Sequence, residues 1–203
     1  MAGYSLSEGA TITMKLKGIL PFARELLAQA LTEGDAAVDA TAGNGHDSCY
    51  LAKLVGPTGH VYSFDVQETA IVATKTRLLN ESLADRVHLF HTGHEQAVEK
   101  ILPEHLSILK AAIFNLGYLP GSDKSITTQA ETTITAINGL FDAMPAGGII
   151  VLVIYHGHAE GAVEKEAVLD YVQQLPQEKA HVLQYGFINQ KNAPPFIIAI
   201  EKR

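Results

Sequence analysis

Seven short apolar runs are spaced along this chain, and segments of helical period separate the first six of them. The runs fall at residues 36–38, 60–66, 87–91, 111–114, 147–156, 181–188 and 196–201. Between them, apolar residues recur at three- and four-residue steps. Phe22, Leu26, Leu27, Ala30 and Leu31 do so between Pro21 and Gly34; Cys49, Tyr50, Ala52, Leu54 and Val55 before the GPTG turn at 56–59; Ala70, Ile71, Thr74 and Leu78 within 67–80. Further helices are expected at 95–102, 126–144 and 159–175. Strands alternating with helices of this length imply a mostly parallel sheet covered by helices on both faces. The last two runs have no helix between them, so they should form an antiparallel hairpin at one edge. The expected fold class is α/β, Rossmann-like, with a seven-stranded sheet.

A chain of 203 residues with 47% hydrophobic and 18% charged residues suits one domain, 1–203, with a substantial core. No run reaches the roughly 18 apolar residues of a membrane helix. Residues 1–13 have neither a basic start nor a long apolar centre, so a soluble, cytoplasmic protein is expected. The single cysteine, Cys49, rules out an internal disulfide framework and a cysteine-based zinc site. The formal charge of -7 argues against coating nucleic acid through a global positive field but leaves room for a local basic patch.

The first strand runs into DATAGNGHD, residues 39–47. In an open α/β sheet, ligands bind beyond the strand ends where strand order reverses, and the first strand usually borders that point. The turn lacks the third glycine of a dinucleotide fingerprint and the Lys-Ser/Thr pair of a P-loop. Asp39 and Asp47 would repel a pyrophosphate by several kcal/mol, but they favour a guest with a cationic end. S-adenosylmethionine has an ammonium, a sulfonium and no phosphate. Gly43 and Gly45 would let the backbone approach it closely, with Asn44 and His46 between and beside them. Asp65, about twenty residues past Gly45 and followed by Val66 and Gln67, would accept the ribose hydroxyls. The alternative is that the glycines only make a tight turn and the aspartates cap the next helix.

DATAGNGHD, FDVQ (64–67), HTGHE (91–95) and NLGYLPGSDK (115–124) together resemble the small rRNA methylase family of bacteria, over essentially the whole chain. The resemblance implies a class I S-adenosylmethionine-dependent methyltransferase. For the family's characterised members it implies methylation of the exocyclic amine of 5-aminomethyl-2-thiouridine at the tRNA wobble position. The implied partner is a tRNA anticodon stem-loop.

Within these blocks, Gly93 and His94 are candidates for the adenine edge of the cofactor, with a loop or capping histidine as the alternative for His94. NLGY resembles the Asn/Asp-Pro-Pro-Tyr loop of amino methyltransferases, with Leu116 and Gly117 in place of the prolines. There, an Asn115 oxygen would accept N–H bonds from the attacking amine and aim its lone pair, while Tyr118 shapes the base pocket. Asn115 and Leu116 would also border the cofactor. A bland reading makes Asn115 a turn residue and Tyr118 a cover for the core edge. IYHGH (154–158) offers Tyr155 for substrate and His158 as a general base, with positioning as the equal alternative. Its two histidines lack a matching cluster elsewhere, and no metal is expected.

Lys124, Lys191 and Asn192 lie on loops near the expected ligand face and could contact RNA, as could Lys15, Lys17 and Arg24; solvated surface charge is the alternative. An apolar edge near the final strands could pair in a homodimer. Rival functions are methylation of rRNA or of a small-molecule amine, and a non-catalytic nucleotide-binding module.

Overall fold

A computed structural model describes residues 15–117, 127–157 and 159–203. Its sheet has the strand order β3-β2-β1-β4-β5-β7-β6. The strands are β1 (Ala36–Asp39), β2 (His60–Asp65), β3 (Val87–His91), β4 (Leu109–Leu116), β5 (Ile149–Ile154), β6 (Ala180–Tyr185) and β7 (Phe196–Lys202). The first five are parallel. β7 runs antiparallel between β5 and β6, so the expected hairpin forms with its second strand on the inside. Strand order reverses between β1 and β4, which places a crevice at their carboxyl ends.

The period of two along each strand divides the core. Ala37, Ala111, Ile113, Val151 and Val153 face one layer, with Leu27 of α1 (Ile19–Ala30), Leu51 of α2 (His46–Leu54) and Leu78 of α3 (Glu68–Asn80). Val38, Ala112, Phe114 and Leu152 face the other. That layer holds Ala97 of α4 (Ala97–Lys100), Ile137 and Leu140 of α6 (Ala130–Ala143), and Val168 and Val172 of α7 (Ala159–Gln173). Burial on both faces is why the central strands read as unbroken apolar runs.

Several boundaries depart from expectation, among them the ends of β5 and β6, and three do so for identifiable local reasons. The strand expected at 111–114 extends to Leu116, because Asn115 and Leu116 still pair with Val153 and Ile154 of β5. The helix expected at 95–102 breaks into a 3-10 turn at His94–Gln96 and α4, and Pro103 then opens a further short helix, α5 (Pro103–Leu106). The helix expected from 126 starts at Ala130, since Gln129 is extended and Thr128 is tied to Gly117. Among the described residues, no helix is long and apolar enough to cross a membrane.

Candidate active site

The turn after β1 is built from beneath. Asp39 is fully buried; its Oδ2 accepts the Ser48 hydroxyl at 2.6 Å and its Oδ1 accepts the Thr41 N–H at 3.2 Å. Ser48 Oγ lies 2.9 Å from Ser63 Oγ on β2. Burial first, and the charge of Asp47 second, push the Asp39 carboxyl up to about 7. Asp39 therefore supports the turn and does not line the cavity above it. Gly45 is likewise a packing residue. Its φ of 78° is left-handed, and a Cβ there would stand 2.9 Å from Thr74 Cα, so its bareness lets α3 approach. Thr74 Oγ1 donates to the Gly43 carbonyl at 3.0 Å, and Arg77 Nε donates to the Asn44 carbonyl at 2.7 Å while its guanidinium reaches His46.

The raised Asp39 carboxyl makes a signed prediction. An acid that is harder to ionise in the fold binds more protons folded than unfolded, so stability falls as pH rises from about 4 to about 7, by up to about 4 kcal/mol. Asp39→Asn should remove that slope, because Ser48 can reverse its hydroxyl to accept from the new amide and donate to Ser63. The Tm difference between variant and wild type, measured by calorimetry from pH 4.5 to 8, should grow in the variant's favour with pH. A constant difference would show that Asp39 does not titrate in the fold. His94, lowered chiefly by burial, acts on the opposite limb, where stability is lost as pH falls through the ordinary histidine range.

Above the turn lies a cavity of about 1240 Å³. Of the residues singled out from sequence, Gly43, Asn44, His46, Asp47, Asp65, Val66, Gln67, Gly93, His94, Asn115, Gly117 and Tyr155 line it together. Asp65 ends β2 with each carboxylate oxygen held by backbone: Oδ1 accepts the Gln67 N–H and Oδ2 the Gly43 N–H, both at 2.9 Å. His94 is buried, with Nδ1 at 3.0 Å from the Ala40 carbonyl, where it donates. Among the described residues, the lining side chains that carry formal charge are Asp47, Asp65 and Glu95 against Arg24. This excess of carboxylate suits a cationic guest and opposes a pyrophosphate.

Asn115 is held in the wall through both its backbone and its side chain. It shares the face of Ala111 and Ile113, so its side chain projects towards α1 and α2. Its backbone N–H donates to Thr41 Oγ1 at 2.8 Å, and its Nδ2 donates to Asp47 Oδ2 at 2.9 Å. A carboxylate only accepts, which fixes the amide orientation and leaves Oδ1 as an acceptor. Asp47 Oδ1 is held in turn by Arg24 at 3.2 Å, and the Arg24 guanidinium lies 5.1 Å from the Tyr50 ring centroid. Tyr155 donates its N–H to the Leu116 carbonyl, and its Cβ would stand 3.2 Å from a Cβ on Gly117.

Other expected site residues lie elsewhere. Leu116 alternates onto the opposite face of β4 and is buried in the α6–α7 core layer. Lys191 and Asn192 do not line the cavity, although the next residue, Ala193, does. That segment carries left-handed backbone at Asn192 (φ 66°) and Ala193 (φ 48°) and is pinned where His156 Nε2 donates to the Pro194 carbonyl at 3.1 Å. Lys17 pairs with Glu25. Tyr118, Lys124 and His158 lie outside the described residues. Sequence reading missed Thr41, although it stood inside the quoted turn, and missed that Arg24 reaches Asp47.

Comparisons with known proteins show the family. Residues 61–201 match the family described as "Putative rRNA methylase". A "putative rRNA-methylase" from Clostridium thermocellum is 42% identical, with a TM-score of 0.90 over 94% of this chain and 100% of that one. A "putative methyltransferase" from Streptococcus mutans, solved in complex with SAH, is 37% identical, with a TM-score of 0.84 over 93% and 99%. The chloroplastic tRNA (mnm(5)s(2)U34)-methyltransferase of Arabidopsis thaliana is 35% identical over 183 residues, which is 86% of this chain and 66% of that protein's length. The chain belongs to the rRNA methylase family and is a class I S-adenosylmethionine-dependent methyltransferase.

Proposed function

We propose that the protein methylates the exocyclic amine of 5-aminomethyl-2-thiouridine at the tRNA wobble position, giving 5-methylaminomethyl-2-thiouridine. The observation that carries this reading is the Asn115 amide, fixed by Asp47 so that Oδ1 remains an acceptor in the cavity wall. The activity named for the Arabidopsis relative supports the same acceptor. At about 1240 Å³ the cavity exceeds the roughly 300–1,000 Å³ of common ligand pockets, which suits a cofactor and a nucleoside together.

The residues present fit the cofactor. Asp65, steadied by two backbone N–H groups, has lone pairs for ribose hydroxyls, and His94 with Gly93 borders the adenine side. S-adenosylmethionine supplies an electrophilic methyl on a sulfonium. Asn115 Oδ1 accepts an N–H of the incoming amine and so orients its lone pair. The nitrogen must be neutral to attack. Asp47 is already engaged by Arg24 and Asn115, so it does little to hold the amine as ammonium. Tyr155 presents a partly exposed ring beside Gly117, suited to stacking on an unstacked base. Lys191, two residues from the cavity-lining Ala193, would meet a phosphate of an anticodon stem-loop.

The deciding measurement is transfer of labelled methyl to tRNA lacking only this last methyl, beside rRNA and free small amines. Incorporation at the wobble nucleoside of the tRNA is expected. Transfer to rRNA or to a free amine, with the tRNA left unlabelled, would overturn the acceptor assignment.

A further inference from the structure

Glu164, on α7, is 2% exposed and has no lysine or arginine partner among the described residues. Its carboxylate is held by two hydroxyls. Thr133 Oγ1 donates to Oε1 at 2.7 Å, and Thr128 Oγ1 donates to Oε2 through a short bond. Burying a carboxylate on hydroxyls alone is costly compared with an apolar side chain of similar size. Each hydroxyl also reaches one wall of the active site. Thr128 Oγ1 accepts the Gly117 N–H at 3.0 Å, and the Thr128 N–H donates to the Gly117 carbonyl at 3.2 Å. Thr133 Oγ1 lies 3.4 Å from Nε2 of His94, but its proton goes to Glu164 and the His94 ring proton to the Ala40 carbonyl, so this is a packing contact and not a hydrogen bond. A carboxylate can only accept here, so it sets the direction of both hydroxyls; Thr128 must turn its proton to Glu164 and its lone pair to Gly117.

We propose that Glu164 is a positioning residue for methyl transfer: through Thr128 it fixes Gly117, two residues beyond Asn115, in the wall of the cleft. The proposal rests on the reading that the Asn115 stretch faces the methyl acceptor. Glu164 does not line the cavity. Its effect should therefore fall on the alignment of the acceptor loop and not on cofactor affinity.

Two conservative variants test this. Glu164→Gln keeps the shape but replaces one acceptor oxygen with a donor, and Thr128→Val keeps the volume but removes the hydroxyl. Each is expected to lower kcat about tenfold or more, with cofactor Kd by calorimetry within about twofold. The double variant should lose no more than the worse single one, because both cut the same link. Thr128→Ser, which restores a hydroxyl, should return near wild-type kcat. Exchange of the Gly117 amide, followed by NMR, should accelerate in both single variants. Unchanged Gly117 exchange, an unchanged kcat, or kcat and cofactor affinity falling together with Tm would each overturn the proposal. If wild-type protein leaves the tRNA unmethylated, the acceptor reading fails, and the Gly117 exchange result still decides the role of Glu164.

Discussion

Asn115→Ala is expected to lower kcat on the order of 10²-fold while leaving cofactor Kd within about twofold, the cost typical of losing one preorganised polar contact to the reacting group. The backbone should survive the change. The Asn115 N–H keeps its bond to Thr41, and β4 keeps its pairing with Val153 of β5. Asp47 loses one donor but retains Arg24, so no buried charge is left bare. What disappears is a side-chain acceptor whose direction Asp47 has fixed. Asn115→Asp sharpens the test. Its carboxylate can still accept from the amine, but it would face Asp47 at hydrogen-bond distance and must share a proton with it. Activity of this variant should therefore fall at high pH, where both carboxylates ionise, while the alanine variant stays low throughout. Single-turnover methyl transfer with calorimetry on the same samples separates chemistry from binding. An alanine variant as active as wild type would remove Asn115 from the mechanism.

The layer structure was legible because its causes are local. Runs such as residues 111–114 and 147–156 are apolar on both faces, and only a sheet covered on both sides explains that in a chain of this length. Strand order was less accessible. Nothing in the sequence of β7 states that it enters beside β5 rather than outside β6; the inside position follows from burial, since β7 is buried for most of its length while β6 is exposed. The start of α6 was misplaced because helical spacing does not reveal a tertiary tie: bonds to Gly117 and Glu164 hold Thr128 out of the helix.

The cavity wall was legible where chemistry and position coincide, as at Asp65, the last residue of β2, and Asn115, the next to last of β4. It was misread where a residue's neighbour in sequence points the other way. Asp39 is an acid in the glycine turn, but its carboxyl is turned beneath the turn towards Ser48 and Ser63. Leu116 follows Asn115, yet strand alternation sends it into the core. Glu164 did leave a signal: it lies on the same helical stripe as Gly161, Val168 and Val172, where an unpaired acid is out of place. Tracing that stripe before assigning surface charge would have found it.

Asp65→Ala should weaken cofactor binding on the order of 10²-fold, since hydrogen bonds to a charged group contribute about 1.5–3 kcal/mol each and two ribose hydroxyls are within its capacity. Part of that loss would be indirect. Asp65 also accepts the Gly43 and Gln67 N–H groups, so alanine frees the glycine turn from the end of β2. A cycle on protein and ligand together separates the two contributions. Wild type and variant are each titrated with S-adenosylhomocysteine and with its 2′-deoxy analogue. If Asp65 holds the ribose, wild type discriminates between the two ligands and the variant does not. If Asp65 only braces the turn, both proteins discriminate equally and the variant binds both ligands worse by the same factor. Asp65→Asn adds a third point, because its amide oxygen can keep one backbone donor while the charge is lost. Affinity between that of wild type and alanine would place the charge itself, rather than the shape of the turn, at the centre of cofactor recognition.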